Sequence, residues 1–292
     1  MMENQNNRFS SRFTFLLSAL GIAVGTGNIW RFPRIVASNA GDDGAGAFLV
    51  AWITFLFLWS IPLIIVEYIM GRQSRMGTIG AFSYFMGKPF AFLGGFVGVV
   101  STAIAFFYSV IVGWNIYYFG AIIFTDLPQN NDASWALWSS FQNSSFPIIF
   151  HAVAMTVGGF AIYKGVSSIE KVNKILIPVL LGIVLLSVFR AVSLPGSLDG
   201  ITYLFTPDWS QLRRPGIWVD ALAQNAFDTG AGFGLFLTYA IYIRKKYGIV
   251  KNAFTTAIGN NLVSLIAAIM IFSTVFSILG NEMGMQKSEI LD

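Results

Sequence analysis

Two glycine-rich segments carry the polar residues of this chain that could bind a ligand in apolar surroundings. The first, GIAVGTGNIWRFP, covers residues 21–33 and includes Asn28 and Arg31. The second, QNAFDTGAGFG, covers residues 224–234 and places Asp228 before three glycines. Amide and carboxylate oxygens suit a hard cation, and backbone N–H groups freed from a helix suit an anion. The chain has no cysteine, which excludes thiol catalysis and cysteine-bound metals.

Both segments lie within long apolar stretches. Of the 292 residues, 55% are hydrophobic and only 11% are charged, whereas soluble domains carry about 25% charged residues. Seven candidate spans are long enough to cross, or nearly cross, a hydrocarbon core of about 30 Å and too long for barrel strands. They cover residues 13–36, 47–70, 90–124, 147–163, 175–192, 217–243 and 253–279. The sequence therefore predicts an all-α polytopic membrane protein with a single transmembrane domain over residues 1–292.

The basic residues are distributed unevenly around these spans. With the N-terminus in the cytoplasm, twelve of the eighteen lysines and arginines lie on the inner side, and the outer loop at residues 125–146 has none. The net charge of +4 thus reflects orientation in a cell membrane, and no nucleic-acid partner is expected. Arg8 and Arg12 precede the first span as in a signal peptide, but no clear cleavage site follows, so the span is expected to be retained.

The glycine-rich segments occupy spans 1 and 6, which are five spans apart. Because five is odd, a repeat of five spans starts on opposite sides of the membrane in its two copies. Broken helices at matching positions of inverted repeats point to a central binding site for a substrate and a cation such as Na⁺. We predict a first five-helix repeat in residues 1–192 and the first two helices of a truncated second repeat in residues 217–279. The alternative is that the glycines only allow close helix packing.

These two segments, together with SIPLIIVEYIMGR, AFFYSVIVGW and AIGNN, resemble the neurotransmitter:sodium symporter family. The resemblance runs from about Arg12 to the end of the chain. It implies a LeuT-type fold with discontinuous helices 1 and 6, and sodium-coupled symport of an amino acid by alternating access rather than an enzymatic reaction. Gly25 stands where monoamine carriers have an aspartate, and Gly230 removes a side chain from the pocket wall, which favours an apolar or aromatic amino acid. A truncated, non-transporting membrane subunit or a sodium-dependent amino-acid-binding sensor is the alternative.

The resemblance also implies roles for individual residues. The substrate site would comprise Ala23, Gly25, Thr26, Gly27, Ile104, Tyr108, Phe227, Gly230 and Phe233. One or two sodium ions would be bound by groups of Gly21, Ala23, Val24, Asn28, Asp228 and Asn260. Gate or supporting roles would belong to Arg31, Glu67, Gln224 and Ser264. Ordinary core packing is the alternative for the apolar and aromatic members, and interhelical polar contacts are the alternative for Asn260 and Ser264.

Asp228 departs from the family pattern, which has serine or threonine at this position. Trp52, Gln224, Asp228 and Ser264 match the positions that form the anion site of chloride-dependent members. A carboxylate there could supply the negative charge that chloride otherwise brings, so chloride is not expected to be required, and proton antiport through Asp228 is left open. The implied partners are the amino-acid substrate, the lipid bilayer and, as one alternative, a second copy of the chain in a homodimer.

Overall fold

The computed structural model describes residues 8–283, with side chains described to residue 279. Its regular elements are helices, accompanied by a single isolated β-bridge between Ala45 and Pro207 within the described range. The helices are α1 Arg12–Ala23, α2 Phe32–Ser38, α3 Gly46–Phe55, α4 Ile61–Ser74, α5 Thr78–Met86, α6 Ala91–Phe124, α7 Asn131–Gln142, α8 Phe146–Ile162, α9 Val166–Val192, α10 Ser197–Phe205, α11 Pro215–Thr229, α12 Leu235–Ala240 and α13 Ile249–Met283. Two π-helical turns, at Gly27–Arg31 and Leu56–Ser60, precede α2 and α4, respectively.

The first and sixth predicted spans are both interrupted at their glycine-rich segments. Span 1 contains α1 and α2, and its two halves are bent by 56° across residues 24–26. Span 6 contains α11 and α12, which are separated by residues 230–234. Each glycine costs about 1 kcal/mol relative to alanine within a helix, so a helix gives way most readily where glycines cluster. Span 2 stays continuous from α3 to α4 through its π turn.

Some predicted boundaries were wrong. Helix α9 begins at Val166, nine residues before the predicted start of span 5, because its first turns are polar and hydropathy does not mark them. Helix α12 ends at Ala240, so span 6 stops short of the predicted residue 243. The outer loop at residues 125–146 contains α7, whose aromatic and serine-rich sequence lacked a long apolar run.

By length and composition, four helices of the described part are able to cross a membrane, or up to six if each of two bent pairs is one span. One bent pair is span 1, and the other is α7 with α8, which meet at 71°. The sequence predicts seven spans, one more than this maximum of six, and the additional one is span 6. Its helices have 15 and 6 residues, and neither reaches the roughly 20 residues that a crossing helix needs.

Two clusters of buried side chains flank the interruptions. One joins α1, α4, α12 and α13 and includes Phe15, Tyr68 and Phe236. The other joins α2, α3, α10, α11 and α13 and includes Phe32 and Trp52. The two halves of each broken span thus belong to different clusters, and the unwound backbone lies where the clusters meet.

Candidate functional site

The unwound part of span 1 is held by one of its own side chains. Helix α1 ends at Ala23, and Val24 adopts an extended conformation with φ −79° and ψ 117°. The amide of Gly25 donates to Asn28 Oδ1 at 2.8 Å instead of to a helical carbonyl. The backbone of Asn28 donates in turn to Gly25 O at 3.1 Å. Asn28 therefore replaces part of the hydrogen bonding that the helix gives up.

The unwound part of span 6 is held by a carboxylate from span 2. Gly230, Gly232 and Gly234 have φ of +66°, +96° and +72°, a region that favours glycine. Glu67 Oε1 accepts the amides of Gly232 at 2.6 Å and Gly234 at 3.2 Å, and its Oε2 accepts the amide of Leu237 at 3.0 Å. Backbone donors at this depth need such partners because no water is available in the bilayer core.

A buried polar cluster connects spans 1, 6 and 7 beside these breaks. Asn28 Nδ2 donates to Asn260 Oδ1 and to Ser264 Oγ, both at 2.8 Å. Asp228 Oδ2 accepts from Gln224 Nε2 and from Ser264 Oγ, both at 3.3 Å. All five residues are buried, and Asp228 Oδ1 has no hydrogen-bond partner among the described residues. The cluster therefore contains one acceptor oxygen that calls for a cation or a proton.

The buried cluster contains one carboxylate, that of Asp228. No group of three or more histidines, aspartates and glutamates occurs within residues 8–283 that could hold a multivalent ion. One carboxylate with neighbouring amide and carbonyl oxygens fits a hard monovalent cation instead. The predicted ligand Ala23 lines the same cavity as Asp228. Gly21 faces α9, where a Cβ on it would lie 3.0 Å from Asn173 Oδ1, so this part of the set lies apart from Asp228.

A cavity of about 700 Å³ opens beside the two breaks. Eight of the nine predicted substrate residues contribute to its wall, and the ninth, Thr26, lines an adjoining outer cavity of about 810 Å³. The eight are Ala23, Gly25, Gly27, Ile104, Tyr108, Phe227, Gly230 and Phe233. Most of the wall is apolar; Asp228 is its one ionisable acid, and α6 contributes the hydroxyls of Ser101 and Tyr108.

The boundary between the two cavities is aromatic and cationic. Phe227 and Tyr108 line both cavities, with their ring centroids 6.4 Å apart. The guanidinium of Arg31 lies 4.7 Å from the centroid of the Phe227 ring and donates to Gln224 Oε1. Gln224 also donates to Gly27 O at 3.2 Å. A positive charge thus lines the outer cavity and contacts Phe227, which also lines the predicted substrate site.

Sequence reasoning missed a second polar network on α11. Asn225 is fully buried, donates to Trp52 O at 2.8 Å and accepts from Ser60 Oγ at 3.1 Å. Thr229 Oγ1 donates to Asn225 O at 2.5 Å. A second amide next to Gln224 in an apolar span was the available signal.

The comparisons with known proteins show the family and the fold. The family model described as "Sodium:neurotransmitter symporter family" matches residues 6–146 and 140–292. The chain belongs to the sodium:neurotransmitter symporter family. An uncharacterised sodium-dependent transporter of Methanocaldococcus jannaschii is 32% identical over 93% of this chain and 56% of its own length. Another uncharacterised sodium-dependent transporter, YhdH of Bacillus subtilis, is 31% identical over 95% of this chain and 61% of its own length.

Among solved structures, the crystal structure of MhsT in complex with L-phenylalanine matches with a TM-score of 0.82 and 32% identity. It covers 93% of this symporter-family chain and 62% of the MhsT chain. The predicted LeuT-type fold, with discontinuous helices 1 and 6, is confirmed, and the relatives are transporters rather than enzymes. The chain spans about three fifths of the length of these relatives.

Proposed function

We propose that this chain works as a sodium-coupled amino-acid symporter by alternating access, with its sodium and substrate sites at the two helix breaks. The observation that carries the proposal is the single cavity that brings together both helix breaks, Tyr108 and the buried carboxylate of Asp228. A cation at Asp228 and a substrate carboxylate at the freed amides near Gly27 would lie side by side, so each would favour binding of the other.

The sodium site would use the oxygens around Asp228 Oδ1. Carbonyl oxygen from Ala23 and side-chain oxygens from Asn28 and Asn260 complete the proposed set, which would require the Asn28–Asn260 amide contact to rearrange. Gly21 and Val24 would contribute carbonyls to a second ion. Each sodium ion driven inward gains about 2.3 kcal/mol per 100 mV and about 1.4 kcal/mol per tenfold concentration gradient. Two ions would therefore concentrate a substrate about 10⁵-fold.

The substrate would be an apolar or aromatic amino acid. Gly230 contributes no side chain to the cavity wall, and the rest of the wall is mostly apolar. Phe233 and Phe227 would pack against the side chain, and Gly25 leaves the substrate's own carboxylate to supply the negative charge. The crystal structure of the similar protein MhsT is that of its complex with L-phenylalanine, which supports an aromatic substrate for this chain.

Chloride would not be required, because Asp228 already provides the negative charge where Gln224 and Ser264 converge.

The site would sit in a cell membrane with the N-terminus in the cytoplasm. Arg31, held by Gln224 and Phe227, would form the lower edge of the outer gate.

Radioligand binding and uptake with the purified chain test the proposal. Binding of tritiated L-phenylalanine and glycine is measured in sodium chloride and in choline chloride, and uptake is measured in proteoliposomes with an inward sodium gradient. We expect sodium-dependent binding of L-phenylalanine, together with uptake. Binding without uptake would instead support the amino-acid sensor. Absence of both would refute a binding function for this chain, and preference for glycine would refute the substrate class.

A further inference from the structure

Two neighbouring amides on α11 bind at the two π-helical turns found within residues 8–283. Gln224 Nε2 donates to Gly27 O at 3.2 Å, in the π turn of span 1. Asn225 Nδ2 donates to Trp52 O at 2.8 Å, and Asn225 Oδ1 accepts from Ser60 Oγ at 3.1 Å. Trp52 lies in α3, four residues before the π turn of span 2, and Ser60 is the last residue of that turn. Because π turns are frequent at functional sites, this double attachment calls for a reason.

Helical spacing separates the two attachments onto adjacent faces of α11. Gln224 and Asp228 are four residues apart and share one face, which meets spans 1 and 7. Asn225 and Thr229 share the next face, which meets span 2 through Ser60. Rotation of the helix about its axis would break both sets together. The face that meets span 2 therefore fixes where the face that carries Asp228 points.

The end of α11 needs such a lateral attachment. Thr229 is its last residue, and Gly230 turns the backbone into the left-handed region at φ +66°. A final helical turn that leads into unwound backbone has unpaired carbonyls and few local restraints, so it frays readily. Asn225 lies in that turn, and both its amide nitrogen and its amide oxygen are bound.

We propose that Asn225, together with Ser60, is a positioning residue for the sodium site. It holds the last turn of α11 against span 2, so that the Asp228 carboxylate faces Asn28 and Ser264 with its free oxygen available. The inference rests on the proposed function, because it takes Asp228 as a sodium ligand. Asn225 itself lines neither cavity.

Thermal unfolding of the purified chain in detergent tests this role with sodium alone as the probe. The unfolding temperature is measured at rising sodium chloride, with choline chloride keeping the ionic strength constant, which gives a half-saturating sodium concentration. The variants are Asn225→Leu and Ser60→Ala. The matched control is Tyr68→Phe, which removes a buried hydrogen bond between span 2 and Thr256 without touching α11.

We expect Asn225→Leu to raise the half-saturating sodium concentration about tenfold and Ser60→Ala about threefold, since the first variant loses three buried hydrogen bonds and the second loses two. Tyr68→Phe should lower the sodium-free unfolding temperature and leave the half-saturating sodium concentration unchanged. If Asn225 had a purely structural role, Asn225→Leu would give this same pattern. Unchanged half-saturation in both test variants would overturn the proposal. If Asn225→Leu does not unfold cooperatively, Ser60→Ala decides alone. A wild-type chain that does not respond to sodium would refute the sodium site itself, and this role with it.

Discussion

The Ser264 hydroxyl donates to Asp228 Oδ2 at 3.3 Å, while the other oxygen of the same carboxylate is buried without a hydrogen-bond partner in residues 8–283. This hydrogen bond between spans 6 and 7 therefore uses only one of the two carboxylate oxygens. Burying a charge without full compensation is costly, which makes the free oxygen the strongest feature of the site for attracting a cation.

Substrate binding by the Asp228→Ser variant should depend on chloride. The serine keeps a small oxygen donor beside Gln224 and Ser264 but removes the fixed negative charge that balances sodium in a low-dielectric site. We expect sodium-dependent binding of L-phenylalanine to fall about tenfold or more when gluconate replaces chloride, whereas the unmodified chain should be insensitive. Asp220→Ser is the control, because this acid of α11 binds Asn39 and lies outside both cavities. Chloride independence of Asp228→Ser would contradict the proposal.

The positions of the two helix breaks were predictable because glycine clusters and buried polar residues are local signals. QNAFDTGAGFG contains both the glycines at which span 6 unwinds and, next to them, the carboxylate of Asp228. The contact between Asn28 and Asn260 was suggested only through the family resemblance, since 232 residues separate them. Length and hydropathy located most spans but missed the polar first turns of α9.

The sequence offered Asn225 as a second amide in an apolar span, but its hydrogen-bond partners were not predictable. Its partners are a backbone carbonyl of Trp52 and the hydroxyl of Ser60, and neither stands out in an apolar span that reads as a regular helix. The π turns were not predictable either, because the extra residue in each turn leaves no compositional pattern in the sequence. Side-chain contacts between distant spans depend on packing, which periodicity does not specify.

Glu67→Gln should loosen the unwound backbone of span 6. The carboxylate accepts three backbone amides, and a glutamine would present an N–H group to at least one of them. Losing a hydrogen bond to a charged acceptor costs about 2–3 kcal/mol, so amides 232–237 should exchange with deuterium about 30- to 150-fold faster. Glu170→Gln is the control, because Glu170 binds Ser10 and Thr14 at the start of α1. Equal exchange in both variants would contradict this bracing role.

Tyr108→Phe should weaken substrate binding without weakening the fold. The Tyr108 side chain lines both cavities, and its hydroxyl is proposed to donate to the substrate carboxylate. Loss of a hydrogen bond to a charged group should weaken binding of L-phenylalanine about 10- to 100-fold, with an unchanged unfolding temperature in the absence of substrate. Tyr118→Phe, on the same helix, is the control, because the Tyr118 hydroxyl is buried without a hydrogen-bond partner in the described part of the chain. Equal affinity in the two variants would exclude the carboxylate contact.

Gly230→Ala should change the size of amino acid that binds. A Cβ on Gly230 would lie 3.8 Å from Ile22 and from Leu235, which is ordinary contact, so it would fit while taking space from the cavity that both residues line. The φ of +66° adds a strain of about 1 kcal/mol, which should lower the unfolding temperature slightly.

We expect the ratio of L-phenylalanine to L-alanine affinity to fall about tenfold in Gly230→Ala, as measured by competition against a tritiated ligand in sodium chloride. Gly95→Ala, on α6, separates size from general destabilisation, because a Cβ there meets nothing within 4 Å and the backbone has no positive φ. If Gly230→Ala loses affinity for both amino acids equally, strain in the break is the cause, and Gly230 does not set the size of the substrate. If only the larger amino acid is lost, the missing side chain at residue 230 is what admits it.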